Sequence, residues 1–298
     1  MRSQKIKFII NSNAGFRRDK SYIENLIRRR CRSLDFIIEH TSGPGDATRL
    51  AQQAAGEGYT TVVAVGGDGT VNETASGLVG TETALAIIPR GSGNGLARSL
   101  NIPLQAAKAL EVIATGKTYR IDAGRAAHRY FFVVAGVGFD ANISHKFNAA
   151  TWRGPVPYFY LAAREFANYQ PEPLRLRLED NVMEITPFLV TVANTQQYGN
   201  GAVIAPHARP DDGILEVCVV QPINFAEFVM SARKLFNGKA DTIPSLNYYR
   251  SKHATIEKSG SLLFHIDGEA EISQDKIEIS VLPQALNVIV PTSYGTPS

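Results

Sequence analysis

The segment Val62-Val-Ala-Val-Gly66-Gly67-Asp68-Gly69-Thr70-Val71-Asn72-Glu73 sets one carboxylate and one hydroxyl inside a glycine-rich turn, between an apolar run and a helix-like run. Glycines let backbone amides come close to a phosphate, and the free N–H groups at a helix start favour anions. Asp68 repels a phosphate directly, so it would act through a Mg²⁺ ion, through a water or by orienting the loop. The same residues also suit a tight turn in which Asp68 and Thr70 cap the helix. A second segment, Ile88-Pro-Arg90-Gly-Ser92-Gly-Asn94-Gly-Leu-Ala-Arg98, repeats strand, glycine turn and helix. Ser92 could donate to a phosphate there, and Arg90 or Arg98 could neutralise one. Alone it reads better as a capped turn; two such turns on one sheet edge favour the phosphate.

The surrounding residues must position those turns. Strand signals fall at Lys5–Ile10, Leu34–His40, Thr61–Val65 and Ala84–Ile88, and helical spacing at Ser21–Arg32, Asp46–Ala55, Val71–Leu78 and Leu104–Thr115. Alternating strands and helices with short connections predict a mostly parallel sheet covered by helices, with ligands beyond the carboxyl ends of its strands. Asn11–Gly15, Gly66–Gly69 and Gly91–Gly95 each follow a strand, so all three are expected on one sheet edge. After about residue 123 strands dominate: 130–135, 174–178, 187–194, 214–220, 262–266, 277–281 and 286–290, with helices at 157–169 and 225–236. That texture predicts an antiparallel, sandwich-like second domain. The expected division is 1–122, an α/β nucleotide-binding domain, and 123–298, a β-rich substrate domain.

The chain has 298 residues, 44% hydrophobic and 20% charged, ordinary for a folded protein with a core in each half. A net charge of +3 is too small to argue for nucleic acid. Two cysteines, Cys31 and Cys218, do not make a disulfide framework, so a reducing, cytoplasmic setting is expected. No apolar stretch approaches the roughly 18 residues of a membrane span. Ala114-Thr-Gly116-Lys-Thr118 lacks the first glycine of a P-loop, and the histidines lack metal-ligand spacing. Trp152, Tyr158, Phe159 and Tyr160 could face an acyl chain or a membrane, though helix packing is the better reading.

Five segments in order resemble the diacylglycerol kinase catalytic family, which includes soluble bacterial lipid kinases and the sphingosine and ceramide kinases. They are Asn11-Ser12-Asn13-Ala14-Gly15, Thr41 ahead of Gly45-Asp46-Ala47, Gly66–Asn72, Pro89–Arg98, and His265-Ile-Asp267-Gly-Glu269. Gly66–Thr70 alone is shared with NAD kinases; the ordered set is specific. The resemblance implies an NAD kinase-like first domain and an ATP-dependent kinase acting on a lipid hydroxyl. It implies nucleotide contacts from Asn11, Ser12, Asn13, Ala14, Gly15, Thr41, Gly66, Gly67, Asp68, Gly69, Thr70, Val71, Asn72, Ser92 and Asn94. Ser12 stands where the family has proline, and Ser92 where many members have threonine. Glu269 would be the general base, with Asp267 beside it, and Asp68 would hold a catalytic Mg²⁺ through water. Gly138-Phe139-Asp140 resembles a segment near the family's lipid cleft. Residues 205–214 resemble its structural Mg²⁺ site, with Asp212 ligating by carboxylate and Arg209 and Ile214 by carbonyls; a solvated hairpin turn explains them nearly as well. The implied partner is a lipid at a membrane surface, met by transient peripheral contact; a homodimer is left open.

Two other functions stay in view. An NAD kinase-like phosphotransferase would carry Asn-Asn-Glu or Asn-Asp-Glu after the glycine turn, and neither occurs here. A non-catalytic lipid or nucleotide sensor would not need both Asp68 and Glu269.

Overall fold

Strands of six or seven residues form the first sheet, apolar at Thr61–Gly66 and Ala84–Pro89 and mixed at Asp35–Thr41. The computed structural model describes residues 5–11, 20–149, 155–179 and 181–295. These divide into two compact units, one of residues up to 121 together with those from 284, the other of residues 122–283.

In the first unit, β1 (Lys5–Asn11), α1 (Lys20–Arg30), β2 (Asp35–Thr41), α2 (Asp46–Gly56), β3 (Thr61–Gly66), α3 (Asp68–Leu78), β4 (Ala84–Pro89), α4 (Gly95–Ser99) and α5 (Ala106–Thr115) follow in sequence. The strands lie in the order β2-β1-β3-β4, all parallel. Every residue of β3 and β4 is buried, as expected of a parallel sheet covered on both faces. Helix α2 buries Ala47, Leu50, Ala51 and Ala54, one stripe at i, i+3, i+4 and i+7. It packs on α3 closely enough that a Cβ at Gly77 would lie 2.5 Å from the Thr48 carbonyl oxygen.

The second unit contains the end of β5 (Lys117–Ala126), then β6 (Arg129–Phe131), β7 (Val134–Gly138), α6 (Phe139–Ala149), α7 (Pro155–Phe166), β8 (Leu174–Leu178), β9 (Asn181–Ile185), β10 (Leu189–Ala193), β11 (Gln197–Gly199), β12 (Ala202–Val203), β13 (Leu215–Val220), α8 (Phe225–Phe236), β14 (Leu246–Ser251), β15 (His253–Ile266) and the part of β16 (Glu269–Val290) up to Pro283. Its antiparallel strands run β14-β13-β10-β7-β15-β16, with β8 on β15 and β9 on β8. Leu176, Val190, Val217, Ile256, Phe264 and Ile277 belong to its hydrophobic core. The β15–β16 hairpin turns on two residues, Asp267 (φ 47°) and Gly268 (φ 87°). Positive φ at both positions is the primed turn that matches strand twist.

Three boundaries differ from the sequence reading. The run 130–135 is two strands, broken at Phe132–Val133, whose amides bond to Asp267 instead of a neighbouring strand. The runs 277–281 and 286–290 are one strand that continues through Pro283. Residues from 284 onward, assigned by sequence to the second domain, belong to the first unit because Val288 pairs in parallel with Leu85 of β4.

Candidate functional site

Parallel register sets the carboxyl ends of four strands level. Asn11 at the end of β1 pairs with Thr41 at the end of β2, and Gly66 at the end of β3 pairs with Pro89 at the end of β4. After β3 the chain turns at Gly67 and enters α3 at Asp68. Asp68, Gly69 and Thr70 are therefore a first helical turn, three residues earlier than hydrophobic spacing suggested. Their N–H groups lack intrahelical acceptors and lie at the positive end of the helix dipole.

Sterics and hydrogen bonds fix this corner. The buried Thr70 hydroxyl accepts from Asn11 Nδ2 at 2.8 Å, tying the end of β1 to α3. A Cβ on Gly66 would lie 2.5 Å from that hydroxyl, and one on Gly91 would lie 2.8 Å from the Gly67 Cα, so the two glycine turns touch backbone to backbone. Asp68 caps no residue of its own helix. Its Oδ2 accepts the Asn94 N–H at 2.9 Å and its Oδ1 the Gly95 N–H at 2.7 Å, capping α4 instead. Asn94 sits in the left-handed region (φ 52°) and brackets Gly91, accepting its N–H at 2.9 Å and donating Nδ2 to its carbonyl at 2.7 Å. Arg98 braces the loop through the Gly93 carbonyl at 3.0 Å. Ser92 is exposed, Asn72 and Val71 are buried, and Thr41 is half-buried. Ser12, Asn13, Ala14 and Gly15 lie outside the described residues, as does Trp152; Tyr160 is exposed.

Sequence reasoning assigned no role to Glu73. Its carboxylate accepts the Gly45 and Ala47 N–H groups at 2.9 and 3.2 Å, capping α2 from α3. An acid one position past a buried asparagine was the available signal.

In the second unit Asp267 and Glu269 flank one tight turn and do different things. The Asp267 carboxylate accepts three backbone N–H groups, from Phe132, Val133 and Val134, each at 3.0 Å. Glu269 is partly exposed, and its Oε2 accepts from Arg129 Nη2 at 2.7 Å. Arg129 also pairs with Glu271. Burial pulls the Arg129 guanidinium down, but hydrogen bonds to Glu271 and Glu269 outweigh it and leave its pKa above the ordinary arginine value. Arg129 was absent from the sequence-based candidates because an isolated arginine on a short strand carries no spacing signal. Nearby, Asp140 Oδ2 meets His265 Nε2 at 3.1 Å and accepts from the Thr191 hydroxyl at 3.0 Å in a buried network.

Arg209, Asp212 and Ile214 lie on one loop that leads into β13. Asp212 accepts from Arg250 on one oxygen and from the Ile214 N–H at 3.2 Å on the other, while the Arg209 side chain pairs with Asp211. Among the described residues, no three His, Cys, Asp or Glu side chains cluster as a metal site. Asp212 is thus already paired with one cation, the Arg250 guanidinium.

Comparisons with known proteins bear on both units. The family model described as the diacylglycerol kinase catalytic domain matches residues 5–126, and the model described as the YegS C-terminal NAD kinase beta sandwich-like domain matches 133–290. A diacylglycerol kinase of Mycobacterium tuberculosis is 31% identical over 277 residues, covering 89% of this chain and 88% of that protein. A crystal structure of a diacylglycerol kinase from Bacillus anthracis superposes with a TM-score of 0.76 at 22% identity, over 99% of both chains. The structure of an NAD kinase from Archaeoglobus fulgidus in complex with ATP superposes with a TM-score of 0.56 at 14% identity, over 97% of this chain and 94% of that one. The fold is an NAD kinase-like α/β unit with a β-sandwich-like unit.

Proposed function

The chain belongs to the diacylglycerol kinase family, and from that premise we propose that it transfers the γ-phosphoryl of ATP to a hydroxyl of a diacylglycerol-like or related lipid. The observation that carries the reading is the clasp of Asp68 on the start of α4. It holds two glycine turns against each other beyond the strand ends, beside the N–H groups that open α3. Phosphoryl transfer needs positioning and charge neutralisation more than covalent chemistry, and a rigid, backbone-lined helix start supplies both.

In this reading the phosphates rest on Gly67–Thr70, with Asn11, Thr41, Asn72, Ser92 and Asn94 shaping the surroundings; the family resemblance adds Ser12, Asn13, Ala14 and Gly15, which lie outside the described residues. Mg²⁺ bound with ATP would neutralise phosphate charge. Each Asp68 oxygen retains a second lone pair after accepting its backbone N–H, enough to take a metal-bound water. Glu269 accepts the proton of the lipid hydroxyl. Arg129 orients it through Oε2, and Oε1 has no hydrogen bond among the described residues. A base so placed contributes about 10²–10⁴-fold. Asp267 is a positioning residue, since backbone amides already occupy its carboxylate. No described helix is long and apolar enough to cross a membrane; in this reading the enzyme meets its lipid acceptor by transient peripheral contact with a membrane surface.

The test is incubation with labelled ATP, Mg²⁺ and a panel of lipids in detergent micelles, followed by chromatography of the products. A labelled lipid is the expected result. ATP binding without consumption on any lipid would instead identify a sensor, and label on NAD a dinucleotide kinase.

A further inference from the structure

Helix α8 is unusual in this molecule because none of its 12 residues is buried. Its first turn does not depend on packing: Asn224 accepts from the Glu227 N–H at 3.0 Å, and the Glu227 carboxylate accepts from the Asn224 N–H at 3.0 Å. One side rests on aromatic rings, with Phe228 4.8 Å from Phe166 and Phe225 5.6 Å from Phe166 between centroids. Elsewhere it presents apolar side chains to solvent: Phe225 is 52% exposed, Val229 51% and Met230 61%. Phe225 and Val229 are one turn apart on the same stripe, and Met230 adjoins it. The last turn carries Arg233 and Lys234, the latter donating to the Thr242 carbonyl at 2.7 Å, and the exposed Lys239 follows.

We propose that α8 is a membrane-docking helix, which lays Phe225, Val229 and Met230 into the surface of an anionic lipid bilayer while Arg233, Lys234 and Lys239 meet its headgroups. Large apolar groups on one helix face beside basic residues are the pattern of interfacial helices, and lysine or arginine near an anionic leaflet is attracted to it. A second copy of this chain fits the face less well. The helix is about 18 Å long and about 10 Å wide, a footprint far below the roughly 800 Å² per partner of a stable interface. A membrane needs no such area, because the bound lipid substrate adds to the attachment. The inference rests on the lipid-kinase reading, to which it adds the surface that meets the bilayer.

The experiment is co-sedimentation of the full chain with vesicles of phosphatidylcholine containing phosphatidylglycerol, compared with phosphatidylcholine alone. The variants are Val229→Ser with Met230→Ser, and Arg233→Glu with Lys239→Glu. Wild type should bind the anionic vesicles and release at high salt. Each double variant should bind about tenfold or more weakly with an unchanged thermal transition, since the altered side chains are not buried. Lipid phosphorylation in detergent micelles reads the catalytic proposal separately, so loss of vesicle binding with micelle activity intact isolates the docking role. Equal vesicle binding by wild type and both variants overturns the inference. So does a wild-type dimer in solution that Val229→Ser with Met230→Ser converts to monomer, which would make α8 a contact between copies.

Discussion

Asp68 and Gly95 stand 27 residues apart in sequence, yet the Asp68 Oδ1 accepts the Gly95 N–H at 2.7 Å and makes one corner of two strand–turn–helix units. The acid that opens α3 serves as the cap of α4. Capping across elements is a stronger constraint than capping within one, because it fixes the separation of the two helix starts as well as satisfying their amides.

Removing that carboxylate should therefore damage stability and activity together. Asp68→Ala leaves the amides of Asn94 and Gly95 without their charged acceptor and should cost about 2 kcal/mol in urea unfolding. Phosphoryl transfer should fall by about 10²-fold or more as the glycine turns separate. Normal turnover in this variant would remove the glycine corner from the mechanism.

Glu269→Gln should separate the two effects. The ion pair to Arg129 is partly exposed, so the unfolding free energy should change by less than about 1 kcal/mol. Turnover should drop about 10²–10⁴-fold with nucleotide binding retained. Isothermal titration with ATP beside a lipid-labelling assay measures both, and a variant with wild-type turnover rules Glu269 out as the base.

Asp267→Ala should behave as a folding lesion. Three backbone N–H groups lose their acceptor at once, and alanine tolerates the positive φ of this turn poorly. A loss of about 3 kcal/mol is expected. If Tm hardly moves while activity vanishes, Asp267 takes part in the chemistry directly.

Glu216 supplies a pH prediction. It is buried on β13 with Oε2 lacking a hydrogen bond, and desolvation raises its pKa above the ordinary glutamate value. The folded state thus holds this proton more tightly than the unfolded state does. Its contribution to stability is fully present below the ordinary value and is lost as pH rises through the folded value. Glu216→Gln should raise Tm at pH 8, by about 1 kcal/mol in stability, and change it little at pH 4. A variant that destabilises equally at both would refute the assignment.

The parallel core was readable in advance because three of its strands are short, largely apolar runs closed by asparagine, glycine or proline, a local signal. The position of the glycine turns at strand ends followed from the same pattern. What escaped lay in contacts between distant segments. Asp68 could be recognised as a cap, but nothing local says which helix it caps. Helix α3 begins at Asp68 because a glycine turn can be helical when its carboxylate is held elsewhere, and hydrophobic spacing starts only at Val71. Arg129 and Glu269 are 140 residues apart, and their pairing depends on the β15–β16 turn. Pro283 read as a break between two strands, whereas β16 runs through it.

That continuity affects how the protein is made. β4 is complete at Pro89, but its parallel neighbour contributes Val288. At about 5–20 residues per second, a ribosome needs on the order of 10–40 s to supply it. During that interval the nascent nucleotide-binding unit carries an open sheet edge, exposed to mispairing. Its assembly is thus a late event in synthesis, and a nonsense mutation ahead of codon 286 would harm the amino-terminal half as surely as the carboxyl-terminal one.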